Sequence, residues 1–259
     1  MSSENNHPIL EVDNISFRYE RNKPLINSLT FTIGNGEFIG LLGANGSGKS
    51  TILKLAGGIL RQTGGEIRLW GKPLHSYSHK DRAKLLCYLP QLLDMNLPFK
   101  VRELVSMGLY PYDIPPALTT MEALKMVGLH DKSESYMTNL SGGERRRVFI
   151  GMILVQGAGL LLLDEPLANL DIKYQLEIQR LLRRLKEDKK ISIVMALHDI
   201  NIALRFEKVM LIKDGEILAA GCPENVLTNR LLREAFDADI RIMKNENAET
   251  FVSYEDMRH

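Results

Sequence analysis

GANGSGKST, residues 43–51, is the stretch on which the reading of this chain turns. It meets the spacing Gly, four residues, Gly, Lys, Ser/Thr through Gly43, Gly48, Lys49 and Ser50. Its flanks supply the context that the spacing requires. Residues 37–42 (EFIGLL) read as a short buried strand, and residues 50–60 (STILKLAGGIL) as the helix after it, with Ile52, Leu55, Ala56 and Ile59 at helical spacing. The glycines let the backbone wrap a phosphate chain, and the helix start presents unpaired N–H groups to it. Lys49 reaches the terminal phosphates, and the Ser50 hydroxyl is placed for Mg²⁺.

A second glycine turn, LSGGE at residues 140–144, carries no lysine. The first turn can hold a nucleotide by itself, whereas the second offers only backbone N–H groups to an anion supplied from elsewhere. The chain therefore reads as half of a composite nucleotide site. Ser141 and Glu144 are spaced as a capping box, and Gly142 and Gly143 leave a phosphate free to approach the positive helix end. Locally two readings stand: an anion-binding helix start, or simply a well-capped helix whose Arg145, Arg146 and Arg147 form mostly a solvated face.

The chain's 259 residues with 44% hydrophobic content fit one compact, lobed enzyme-sized unit. A net charge of +1 provides no broad basic field, so nucleic acid is not indicated as a partner. Cys87 and Cys222 form no spaced cluster and read as reduced core thiols of a cytosolic protein. MSSENNHP at the N-terminus lacks a signal segment, and the longest apolar stretch, residues 152–163, is too short to span a bilayer. Membrane contact is therefore expected only through a partner.

Alternation at residues 9–19, 29–33 and 66–70 predicts a half-exposed antiparallel sheet. After a strand at residues 85–89, residues 91–98 read as a loop and helices follow at 101–107, 119–127 and 141–155, so the middle third is a helical insertion. A buried strand at residues 160–163, an amphipathic helix at 172–186 through Ile172, Leu176, Leu181, Leu182 and Leu185, and a buried strand at 191–197 signal a parallel α/β sheet. Strands at residues 209–212 and 217–220 flank KDGE, a hairpin with Asp214 and Gly215 at the turn.

The chemistry gathers where strands end. Residues 160–163 run into Asp164 and Glu165, and Pro166 stops the extended segment. Adjacent carboxylates in a strand face opposite ways, so Asp164 can serve Mg²⁺ while Glu165 turns to the γ-phosphate and orients or deprotonates water. His198, next to Asp199, follows its strand by the same logic and can donate a hydrogen bond to the γ-phosphate.

The ordered set GANGSGKST, YLPQ ending at Gln91, LSGGE, LLLLDEP, ANLD ending at Asp171, and LHD around His198 resembles the nucleotide-binding subunit of ATP-binding cassette (ABC) transporters over nearly the whole chain. The resemblance implies a phosphate-loop NTPase (RecA-like) α/β core with a mostly parallel sheet, an antiparallel β subdomain and an inserted helical subdomain. It implies one nucleotide-binding domain, with residues 1–90 and 157–259 as catalytic core and 91–156 as the helical signature subdomain. Asn45, Gly46, Ser47, Gly48, Lys49, Ser50 and Thr51, after Gly43, would hold the phosphates of ATP and its Mg²⁺. Gln91 would complete the Mg²⁺ shell with Ser50 and Asp164, Glu165 would be the general base, and His198 the γ-phosphate switch. Ser141, Gly142 and Gly143 would close on the γ-phosphate of an opposite subunit, with Asp171 coupling the two sites. Tyr19 resembles the residue that stacks on adenine; equally, it reads as a core-facing strand residue in register with Ile15 and Phe17.

Two departures stand out: Arg146 where many members have glutamine, and Ala168-Asn169 before Leu170 in place of the commoner pairs. The segment VRELVSMGLYPY at residues 101–112 and the stretch from LHD to NVLT are similar to ATPases of iron-siderophore, haem or cobalamin importers. The partners so implied are a second copy of the chain, integral-membrane permease subunits docking a helix at about residues 92–112, and indirectly an extracytoplasmic solute-binding protein, at the cytoplasmic membrane face. An exporter subunit, another importer's ATPase, or a soluble ABC ATPase acting on nucleic acid or ribosomes remain as alternatives.

Overall fold

The computed structural model describes residues 8–20, 23–91, 98–168, 170–244 and 250–254. The chain gathers into two compact units, residues 1–72 with 194–259, and residues 73–193. In chain order the first contributes β1 (Leu10–Glu20), β2 (Lys23–Ile33), β3 (Phe38–Leu42), α1 (Lys49–Ala56) and β4 (Gly64–Leu69), after which β5 (Lys72–Pro73) stands at the division. β1 is antiparallel to β2 (Leu10↔Ile33, Val12↔Phe31) and to β4 (Leu10↔Leu69, Val12↔Ile67). β1 buries Leu10 and Val12 and then, beyond a register shift at Asn14 (φ 50°) that breaks the period-two alternation, Ile15 and Phe17.

α1 stops earlier than its periodicity predicts. Gly57 caps it, Gly58 takes a left-handed φ of 66°, and Ile59, expected on the buried stripe, is exposed. β4 likewise ends at Leu69, because Trp70 turns left-handed at φ 47°, and its side chain is 40% exposed.

The second unit holds α2 (His79–Leu85), β6 (Leu86–Leu89), α3 (Val101–Ser106), α4 (Thr120–Met126), α5 (Gly142–Gln156), β7 (Leu160–Asp164) and α6 (Ile172–Lys189). The expected helices of the insertion are present; of the loop at residues 91–98, positions 92–97 lie outside the described residues. Capping boxes fix two helix starts, Thr119 with Glu122 and Ser141 with Glu144. Gly151 lets Val105 and Val127 close on α5, and a Cβ at Gly108 would sit 2.3 Å from the Met152 carbonyl oxygen. β6 and β7 pair in parallel from Leu86↔Leu160 to Leu89↔Leu163. α6 buries Ile178, Leu181, Leu182 and Leu185 but leaves Ile172 exposed. The predicted stripe took a five-residue step from Leu176 to Leu181, and at about 100° per residue that turns position 172 off the buried face.

β8 (Ser192–Leu197) divides its residues between the units. Within the first unit the sheet order is β10-β9-β3-β8, and within the second β7 neighbours β6. The remaining elements of the first unit are α7 (Ile200–Ala203), β9 (Lys208–Lys213), β10 (Glu216–Gly221), α8 (Pro223–Val226), α9 (Asn229–Phe236), β11 (Ile240–Lys244) and β12 (Thr250–Tyr254). The elements from α8 onward have no counterpart in the sequence reading. Two asparagines hold the β11–β12 ribbon: Ile242 N donates to Asn229 Oδ1 and Val252 N to Asn201 Oδ1, both at 2.8 Å. Cys87 is buried, which pushes its thiol up to about 12, but Cys222 is exposed rather than in the core, since it begins the loop-to-α8 turn. No helix among the described residues is long and apolar enough to cross a membrane.

The β9–β10 hairpin turns as its Asp-Gly pair predicts, with Asp214 at φ 49° and Gly215 at φ 80°. A Cβ at Gly215 would lie 1.8 Å from the Leu25 carbonyl oxygen. Gly215 N also donates to Ser47 O at 2.8 Å, so this turn braces the residue 43–51 loop. Gly215→Ala is expected to lower the unfolding free energy by about 2 kcal/mol or more, since strain and clash add. Chemical denaturation measures it, and an unchanged midpoint would count against the packing described.

Candidate functional site

In the first unit, the fully buried β3 delivers the chain to Gly43. A side chain there has nowhere to go: a Cβ would lie 2.3 Å from Ile212 O and 2.7 Å from Ser47 Oγ. Gly46 and Gly48 have φ of 81° and 105°, left-handed values that let the loop curl back before α1. Gly48 is the cap residue of α1 and has no side chain, so the cap itself leaves that helix start open. Lys49 is buried, and its Nζ donates to Gly43 O at 2.8 Å and Ala44 O at 3.0 Å, which aligns it along the loop.

The loop also holds an orphan. Ser47 Oγ is buried without a hydrogen-bond partner among the described residues, an arrangement that costs free energy unless another group supplies one. A glycine turn with no room for a Cβ, an aligned lysine, an open helix start and an unmet hydroxyl together fit a phosphate chain.

Tyr19 is 61% exposed, with its edge on Phe17 at 4.8 Å between ring centroids, and its hydroxyl lies 3.3 Å from Thr51 Oγ1. The core-facing alternative for Tyr19 is thereby overturned. The β1–β4 pairing ends at Ser16↔Gly64, so the last residues of β1 run past that neighbouring strand. His198 is exposed immediately after β8, the neighbour of β3. Asp199 beside it caps α7, accepting from Asn201 N at 2.8 Å and Ile202 N at 3.3 Å.

In the second unit, the parallel register places Pro90 and Gln91 alongside Asp164 and Glu165. Asp164 is 1% exposed and accepts a 3.2 Å hydrogen bond from the Tyr88 hydroxyl. Glu165 is not strand-like as expected: β7 ends at Asp164, and Glu165 takes a left-handed φ of 48° before Pro166. Its Oε2 accepts a 2.8 Å hydrogen bond from Gln91 Nε2. Asp171 is exposed at the cap position of α6 and makes no capping hydrogen bond.

The capping box at LSGGE is present in full: Glu144 N donates to Ser141 Oγ at 3.3 Å and Ser141 N to Glu144 Oε2 at 3.0 Å. A hydrogen bond from Lys132, with that from Ser141, holds the Glu144 carboxyl below its usual range. Ser141 and Gly142 are exposed, and a Cβ at Gly142 would meet nothing within 4 Å. Among the described residues nothing requires glycine there.

The solvated-face reading of the arginine triplet fails for two of the three. Arg146 and Arg147 are each 4% exposed. Arg147 donates to Val127 O at 2.8 Å and lies 3.9 Å from the Tyr174 ring centroid, while Arg145 reaches Thr138 O at 2.9 Å. Burial pulls the Arg146 guanidinium below its usual value, opposed by the Asp164 and Glu165 carboxylates. The signals for these residues, and for Tyr88, were two arginines running into the apolar stretch VFIGMILV and a tyrosine inside a buried strand, each a polar group that must find a partner.

A phosphate-binding strand–turn–helix on a mostly parallel sheet, with an antiparallel β part and a helical insertion, is the core of a phosphate-loop ATPase. Comparison with known proteins narrows this: the ABC transporter family model matches residues 26–168, and the chain belongs to that family. It is 39% identical over 227 residues to the iron(3+)-hydroxamate import ATP-binding protein FhuC of Bacillus subtilis, spanning 85% of this chain and 84% of that one. It is 36% identical over 234 residues to the petrobactin import ATP-binding protein FpuC of Bacillus anthracis, spanning 87% and 86%. Among solved structures, it superposes on a putative metal-chelate type ABC transporter in an inward-facing conformation with a TM-score of 0.78 at 25% identity, covering 96% of this chain and 97% of that one. The dimeric cassette MJ0796 gives 0.74 at 26%, covering 83% and 98%. The chain is thus an ABC-type ATPase coupled to transport, and it binds ATP.

Gly43→Ala is expected to weaken ATP binding at least tenfold, because the added methyl must displace Ile212 O or Ser47 Oγ and reshape the loop. Fluorescent-nucleotide titration measures it; wild-type affinity would refute the steric account.

Proposed function

We propose that this chain powers the import of an iron chelate, haem or cobalamin as the ATP-hydrolysing subunit at the cytoplasmic face of the cell membrane, held there by permease subunits. One observation carries the reading: 34–39% identity to petrobactin, hydroxamate and hemin import ATP-binding proteins, over 84–97% of those chains. Cargo identity comes by association, because the subunit has no part in recognising it. The residue 91–156 segment serves as the helical lobe that receives the permease, within a single nucleotide-binding domain that otherwise comprises 1–90 and 157–259. An extracytoplasmic solute-binding protein delivers the cargo.

In this reading residues 43–51 hold the ATP phosphates and Tyr19 stacks on adenine, for which its exposure leaves it available. Ser50, Gln91 and Asp164 would hold Mg²⁺, whose charge offsets that building on the phosphates in the transition state. Two copies close head to tail, each presenting Ser141, Gly142 and Gly143 to the γ-phosphate held by the other. The unoccupied space over Gly142 supports that role. Glu165 takes a proton from the attacking water, His198 donates to the γ-phosphate, and Asp171 links the two sites. Loss of the γ-phosphate removes the anion that joined the two faces, and they separate.

Glu165→Gln is expected to leave ATP binding intact and slow turnover by about 10² to 10⁴ fold, the usual worth of a positioned base. Wild-type turnover in that variant would remove Glu165 from the role. Ser141→Arg should abolish hydrolysis while sparing nucleotide affinity of the single subunit, measured by calorimetry. Lost affinity would mean that LSGGE serves its own chain. Stimulation of ATPase activity by siderophore, haem or cobalamin in the reconstituted complex then identifies the cargo.

A further inference from the structure

We propose that Arg146 is a positioning residue for hydrolysis: it fixes the backbone segments that carry Gln91 and Glu165, and so places the carboxylate that meets water. The proposal deepens the reading of Glu165 as general base and rests on it.

A guanidinium has five N–H donors in a rigid fork. Those of Arg146 go to carbonyl oxygens of two segments. Nη1 donates to Gln91 O at 2.7 Å and Pro90 O at 3.4 Å; Nη2 donates to Glu165 O at 2.6 Å and Asp164 O at 3.0 Å; Nε donates to Pro166 O at 3.3 Å. The first segment leaves β6 and the second leaves β7, so one buried cation bolts together the ends of two parallel strands. A charge withdrawn from water is stable only when its hydrogen bonds are met, and here the strand ends meet them.

The bolt lies where the backbone is under strain. Glu165 is a non-glycine residue at φ 48°, a conformation that costs about 1–3 kcal/mol and persists only where its surroundings over-determine it. Arg146 holds the carbonyls before, at and after that residue. It also holds the Gln91 carbonyl, whose side chain donates to Glu165 Oε2. The separation of amide and carboxylate is thus set by one guanidinium, carried on α5 four residues beyond Gly142, the first residue of that helix. Glutamine at position 146, the commoner choice among ABC ATPases, has two N–H donors and reaches at most two of the five carbonyls.

The test is a double-mutant cycle in the full-length chain, with Arg146→Gln and Glu165→Gln singly and together, following kcat, KM for ATP and thermal midpoint. Arg146→Gln should lower kcat roughly 10- to 100-fold with KM within about twofold, the scale of a misplaced catalytic group. In the Glu165→Gln background it should cost nothing more, because the group it positions is gone. Equal slowing in both backgrounds would show a merely structural arginine, and wild-type kcat in a folded Arg146→Gln would also overturn the proposal. Should that variant not fold, Arg146→Lys enters the same cycle with the same outcomes. Full activity in Glu165→Gln alone would instead defeat the general-base reading and this proposal with it. A slow Glu165→Gln beside an additive Arg146 variant defeats only the positioning role.

Discussion

A carbonyl oxygen pressed against a glycine governs this molecule. Ile212 O stands where a Cβ of Gly43 would be, so the chain leaving β3 must curl tightly over the start of α1. That curl aligns Lys49 along two loop carbonyls, leaves the helix start uncovered and buries Ser47 Oγ without a partner. Phosphate oxygens can complete all three, and backbone amides already fixed by packing pay little reorganisation on binding. The hairpin turn at Gly215 completes the support by donating to Ser47 O from the other side.

The two units divide the chemistry. The residues proposed to hold phosphates, Tyr19 and His198 belong to the first, while Gln91, the helix start at Ser141 and the carboxylates Asp164 and Glu165 belong to the second. Within the second unit Arg146 replaces what sequence alone presents as a surface charge with an internal cross-brace. Its five carbonyl partners are spread over positions 90–91 and 164–166, so the brace depends on the parallel register of β6 and β7.

Legibility in the sequence followed locality. The phosphate loop, the capping box at Ser141 and the Asp-Gly hairpin could be read because each is decided by residues within a few positions of one another. β3, β7 and β8 announced themselves as short, largely apolar runs. What could not be read depends on distant partners. Tyr19 continues the alternation of Ile15 and Phe17, yet is exposed, on a part of β1 that runs past its pairing with β4. Arg146 looks like its neighbour Arg145 until carbonyls some 20 and 55 residues away are brought to it. Ile59 and Ile172 sat on plausible stripes that a glycine stop and a five-residue step respectively undo. The short elements beyond Gly221 carry too little periodicity to declare themselves.

The asparagine that accepts from Val252 gives the C-terminal ribbon a reach beyond its size. Asn201 lies in α7, whose cap is Asp199, and Asp199 adjoins His198. A deletion or fusion that unzips β12 would therefore tug on the tether of the histidine three residues upstream of that asparagine. Tags for purification or imaging belong at the opposite terminus of this polypeptide.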